Sequence, residues 1–161
     1  MNLKEILSVS GRSGLFKVVA QTKNGAIVES LTDKKRFPVF VSDKISTLAD
    51  ISIFCKDEDM PLKDVLKKIF EKEEGKACIN HNESNDKLKT YFESVLPEYD
   101  KEKVYVSDIK KITNWYNLLL ENNMLVFDEP KDEENETNEN ETLKENEEKP
   151  PVNQESKEIK D

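Results

Sequence analysis

The sequence predicts an α+β protein: a small SH3-like β-barrel over residues 1–56, a short three-helix region over 57–127, and a disordered acidic tail over 128–161. Three observations carry this. Short alternating apolar runs separated by tight polar turns fill the first segment. Apolar residues recur at helical spacing three times in the second. The third holds almost nothing apolar beyond Leu143, Val152 and Ile159.

In the first segment, Leu3, Ile6 and Leu7 make a short amphipathic start, and SVSGRSG (8–14) is a loop of serines and glycines. In LFKVVAQT (15–22), Phe16, Val18 and Ala20 share one face, and Leu15, Lys17, Val19 and Gln21 the other. Asn24-Gly25 suits the central pair of a two-residue type I′ turn, where both φ angles are positive. AIVESL returns as the second strand, TDKK turns, and RFPVFV is the third. Pro38 cannot donate to a ladder, which places its strand at an edge or a bulge. SDKISTLAD (42–50) contains one helical turn, and ISIFC (51–55) is a fourth strand. Four or five short, bent strands in this length suggest the SH3-like barrel.

MPLKDVLKKIFEKEEG (60–75) is the clearest helix, with Leu62, Val65, Leu66, Ile69 and Phe70 on one stripe. Asp59 is its expected cap, Pro61 suits the first turn, and Gly75 the stop. SNDKLKTYFESVLP (84–97) repeats the pattern through Leu88, Tyr91, Phe92, Val95 and Leu96, and Pro97 ends it. A connection follows, extended at Val104 to Val106. Ser107 then caps DIKKITNWYNLLLENN (108–123), whose main face is Ile109, Ile112, Tyr116, Leu119 and Leu120.

The charge is unevenly laid out. The whole chain carries −9, and residues 128–161 hold 14 acids against 5 bases, so residues 1–127 sum to zero. Residues 1–54 carry 8 bases against 5 acids. A tail so rich in Glu, Asn, Lys and Pro cannot bury enough surface to offset its backbone entropy. Its plain role is to solubilise; its sharper role would be to cover a basic site electrostatically.

Two candidate surfaces follow. Lys23, Lys34, Lys35 and Arg36 lie in the hairpin turns and Lys17 on the first strand, where they either contact phosphates of RNA or a ribonucleoprotein, or simply solvate turns and guard strand edges. Trp115 and Leu118 lie off the main stripe of the third helix. With Tyr105 they form either an anchor for a partner protein or a second buried face against the other helices and the barrel.

Chemistry is sparsely signalled. SGRSG (10–14) lacks the Walker spacing and precedes a strand, so it reads as a turn. Cys78 and His81, three residues apart, supply two of about four ligands a structural zinc needs. No catalytic, cofactor or metal motif is expected, and the paired carboxylates read as solvated charge. Cys55 and Cys78 have no disulfide-like spacing, which fits a reducing cytoplasm. No apolar run approaches the roughly 20 residues that span a bilayer, and the N-terminus lacks a signal peptide's apolar segment. The expected function is non-enzymatic binding, with a protein–protein adaptor as the alternative.

The stretches GLFKVVAQTKNG, KRFPVF and YVSDIKKITNWYNLL, together with their surroundings in residues 1–127, resemble a Bacteroidota family, the domain of unknown function 5606 family. The resemblance implies a bacterial cytoplasmic setting and assigns no site residues.

Overall fold

Five antiparallel strands form the central sheet of the computed structural model, which describes residues 1–127. They are β1 (Ile6–Val9), β2 (Phe16–Thr22), β3 (Gly25–Ser30), β4 (Arg36–Phe40) and β5 (Ile45–Thr47), in the order β4-β3-β2-β1-β5. A two-stranded ribbon of β6 (Ser52–Ile53) and β7 (Met60–Pro61) leads into three helices: α1 (Leu62–Lys72), α2 (Asn85–Val95) and α3 (Val106–Glu121). The protein is therefore α+β. The hydrogen-bonded order ends at β4 and β5, which do not pair, so the sheet is not a closed barrel. The expected acidic tail lies outside the described residues.

The start of the chain is a strand where the sequence suggested only an amphipathic stretch and a loop. β1 pairs with β2 and β5, and alternation sends Ile6 into the large core while Leu7 and Val9 enter a second cluster. β5 falls inside 42–50, where a helical turn was expected; that turn is confined to a 3-10 segment at Leu48–Asp50. The expected fourth strand shrinks to β6, because Ser52 and Ile53 pair with Pro61 and Met60 rather than with the sheet. β4 is an edge strand, as Pro38 requires.

Two turns differ in mechanism. Thr22 pairs with Gly25, so the β2–β3 turn is Lys23-Asn24, and neither Asn24 nor Gly25 has positive φ. In β2 the register shifts between Val18 and Ala20, a bulge that breaks the expected alternation at Val19.

The helices form almost as read. Pro61 is the residue before α1 and Asp59 accepts the Cys55 N–H instead of capping it. Gly75, at φ 76°, follows the end of α1 and donates to the Phe70 carbonyl. Ser84 caps α2. α3 begins one residue before Ser107: Tyr105 is its N-cap, and the Asp108 carboxylate accepts the Tyr105 N–H at 3.0 Å.

Residues 1–127 form one compact unit. Its large core takes Leu3, Ile6, Leu15, Leu31, Leu48 and Ile53 from the strand region together with the apolar faces of all three helices. A smaller cluster of Leu7, Val9, Phe16, Val28 and Val39 lies on the other side of the sheet, with Phe16 and Phe37 in edge contact. The expected boundary near residue 56 therefore divides the secondary structure but not the core.

Candidate functional site

The five basic residues expected to act together do not form one surface. Lys23 occupies the β2–β3 turn and Lys34 and Lys35 the β3–β4 connection, at opposite ends of a six-residue strand about 20 Å long. Arg36 is held by Glu29 at 2.9 Å, and Lys17 stands opposite the same Glu29 across β2–β3. Lys35 is 3.7 Å from Asp33, whose carboxyl is held below its usual range by the Ser30 hydroxyl first and the Lys35 N–H next. Lys34 donates to the Asn122 side chain at the end of α3. Two of the five charges, Lys35 and Arg36, are locally matched by an acid among the described residues.

The trio expected to anchor a partner, Tyr105, Trp115 and Leu118, also separates. Trp115 and Leu118 are buried, at 8% and 9% exposure, in the large core. Tyr105 is 66% exposed. α3 packs on both helices and the strand region, which explains its second apolar face.

A cleft between α3 and the strand region is better formed. One cavity, of about 290 Å³, has apolar walls that include Ile51, Ile53, Phe54, Ile112 and Trp115. Its polar rim includes Ser46, Ser52, Lys103 and Asp108. A second cavity, of about 260 Å³, lies between the Ser10–Gly14 loop and Lys111, Asn114 and Trp115 of α3. Ser8, Lys111 and Trp115 line both, so the two share a border. β1 places Ser8 there because it shares a face with Ile6, opposite Leu7 and Val9.

Three cations attend this cleft: Arg12, Lys103 and Lys111. Among the described residues none of them forms an ion pair. Arg12 lies over the Phe37 ring at 4.1 Å and Lys103 over Phe54 at 5.5 Å, so two of the cations rest on aromatic faces. Asp108 is the one acid in the lining, and its carboxylate is engaged by the Tyr105 N–H. The arrangement can attract an anion and offer an aromatic surface beside it.

The other polar assembly is structural. The Cys78 N–H donates to Asn117 at 2.9 Å, Tyr116 to the Lys76 carbonyl at 2.9 Å, and Tyr91 to Glu73 at 2.7 Å, tying the 76–80 loop to α3 and α2 to the end of α1. Burial, then the Glu73 charge, pushes the Cys78 thiol up to about 12. Such a thiol stays protonated near neutral pH and is a poor nucleophile. Among the described residues no three His, Cys, Asp or Glu side chains are placed to hold a metal, and no helix is long and apolar enough to cross a membrane.

Sequence reading missed Arg12, Lys103, Lys111 and Phe54 as a group because they lie up to 99 positions apart. The only local signal was an arginine set between two glycines.

Comparison with known proteins finds two matched segments. Residues 3–48 match a domain of unknown function (DUF5606), and residues 51–119 match a second domain of unknown function (DUF6852). No curated protein matches the chain significantly. A solution NMR structure of a structural-genomics target from Bacteroides vulgatus is 43% identical, with a TM-score of 0.65, over 78% of this chain and 91% of that one. That identity across nearly the whole relative, joined to the match at residues 3–48, places the chain: it belongs to this Bacteroidota family of proteins carrying the domain of unknown function DUF5606.

Proposed function

We propose that the protein is a non-enzymatic, cytoplasmic binding protein that contacts single-stranded RNA, alone or in a ribonucleoprotein, through the cleft along α3. One observation carries the reading. Arg12, Lys103 and Lys111 have no carboxylate partner among the described residues, and Lys103 lies 5.5 Å from the exposed Phe54 ring. Single strands are held by such a combination, with cations on the backbone and aromatic faces under the bases. Lys17, Lys23, Lys34, Lys35 and Arg36 contribute only a diffuse field in this reading. The SH3-like description of the sheet belongs to the same proposal. It is supported by the strand order β4-β3-β2-β1-β5, the bulge in β2, and one cluster fed by all five strands. The adaptor alternative is less favoured, since Tyr105 alone of its expected anchors is exposed.

The test is anisotropy of a labelled, mixed-sequence single-stranded RNA across a salt series, with the full chain and with residues 1–127. Neutralising three phosphates gives a slope of about −2 in log K against log salt. Charge reversal at Lys103 and Lys111 should weaken binding at least 10-fold, and more than reversal at Lys34, Lys35 and Arg36. Salt-insensitive binding, or reversal without effect, overturns the proposal. Tighter binding by residues 1–127 would assign a restraining role to the acidic tail.

A further inference from the structure

The cavity under the Ser10–Gly14 loop is lined largely by polar and cationic groups. Its lining contains Arg12, Lys111, Asn114 and three serines, Ser8, Ser10 and Ser13, and no carboxylate. Among the described residues these serine hydroxyls and the Asn114 amide make no side-chain hydrogen bond to protein, and neither cation has an ion-pair partner. None of the side-chain polar atoms among the described residues is buried without a partner, so these groups are open to solvent.

The loop is pinned where it needs to be. Ser10 donates to the Lys44 carbonyl at 2.9 Å and Arg12 to the Val9 carbonyl at 3.1 Å. The second bond closes a turn with Gly11 at its third position, at φ 80°, the conformation a type II turn demands. Gly14, at φ 88°, turns the chain back toward β2. Among the described residues, the backbone N–H groups of Gly11, Ser13 and Gly14 find no acceptor. The Phe37 ring holds the Arg12 guanidinium at 4.1 Å. This differs from a Walker loop, which the sequence rightly lacks: no helix starts here, and the second cation comes from α3.

We infer that this cavity is a phosphate subsite, and that the adjoining apolar cavity takes the base of the same nucleotide. Guanidinium, ammonium, hydroxyl and amide donors are the set that recognises a phosphoryl group. The neighbouring apolar walls, with Phe54 and Trp115, suit a flat ring, and Ser46 and Ser52 at the rim can read its edge. The shared border at Ser8, Lys111 and Trp115 sets the junction of sugar and phosphate. The inference rests on the nucleic-acid reading of the cleft and sharpens it to one nucleotide unit, whether free or within a strand.

The experiment is an amide-resolved NMR titration of the full chain with inorganic phosphate, adenosine 5′-monophosphate and adenosine, in wild type, Arg12→Gln and Lys111→Gln. Phosphate should move the amides of Gly11, Ser13, Gly14 and Lys111. The monophosphate should also move Ser52 and Phe54, and should bind at least 10-fold tighter than adenosine. Each variant should lose at least 5-fold in phosphate affinity while keeping the wild-type spectrum elsewhere; Lys111 is exposed, so its variant preserves the fold even if Arg12→Gln disturbs the loop. Unmoved loop amides, or unchanged affinity in Lys111→Gln, overturn the subsite. RNA that binds while these amides stay still overturns the subsite and leaves the cleft's RNA reading standing. A monophosphate that binds to a chain indifferent to RNA supports the subsite and overturns that reading.

Discussion

Gly25 and Val39 approach so closely across the β3–β4 ladder that a Cβ built on Gly25 would lie 1.9 Å from the Val39 carbonyl oxygen. The glycine is there for space and not for a left-handed turn. Gly25→Ala should therefore push the edge strand away and lower stability by about 3 kcal/mol, the upper part of the range for overpacking. Urea denaturation reads this directly. A loss below about 1 kcal/mol, the usual effect of glycine's backbone freedom, would contradict the clash.

Trp115 fills the core where α3 faces the cleft. Trp115→Ala should cost about 3–5 kcal/mol in the same measurement. Tyr105→Ala should stay within about 0.5 kcal/mol, as exposed sites do. Equal effects at the two positions would show that Trp115 is not core.

Alkaline pH should unfold the protein early. Burial raises Cys78 from its ordinary 9.0 to about 12 and Tyr116 from 10.0 to about 12, and raises Tyr91 also. The folded state thus holds protons that the unfolded state releases first. The stability these groups contribute is complete below pH 9 and is lost as pH rises through about 12. A thermal midpoint measured from pH 7 to 11 should be flat at first and then fall; a rise above pH 9 would reverse the sign.

Tyr116→Phe removes the donor to the Lys76 carbonyl. About 1 kcal/mol should be lost near neutral pH. The alkaline fall should also become shallower, since one of the titrating groups is gone. A variant with wild-type stability and an unchanged alkaline limb would dismiss both roles of this hydroxyl.

The helices were legible in the sequence because each carries its own signal: the stripe Leu62 to Phe70, the Ser84 cap, the Pro97 stop. The α+β class followed from them. The sheet was less legible. β1 and β5 are short, and their pairing of Leu7 with Thr47 joins residues whose local patterns say nothing of each other. The cleft was hidden for the same reason. Lys111 on α3 looks no different from Lys110 beside it, and only the packing of α3 against the Ser10–Gly14 loop sets it opposite Arg12. The burial of Trp115 and Leu118 was legible as one of two readings, and the second buried face is the one observed.

A chain cut after residue 56 should not fold alone. It would strand Leu3, Ile6, Leu15, Leu31, Leu48 and Ile53, whose burial the helices complete. The expected outcome is an expanded or aggregated fragment with no cooperative thermal transition, read by near-ultraviolet circular dichroism.

The break between the two matched segments, at residues 49–50, is one that the folded molecule does not respect. Asn122 reaches across it to the Leu31 carbonyl, and a Cβ on Gly14 would stand 3.8 Å from Leu118 Cδ1. Neither segment can be exchanged for a distant cousin without refitting the other. A change to the Leu118 side chain should therefore be felt at Gly14, on the far side of the break.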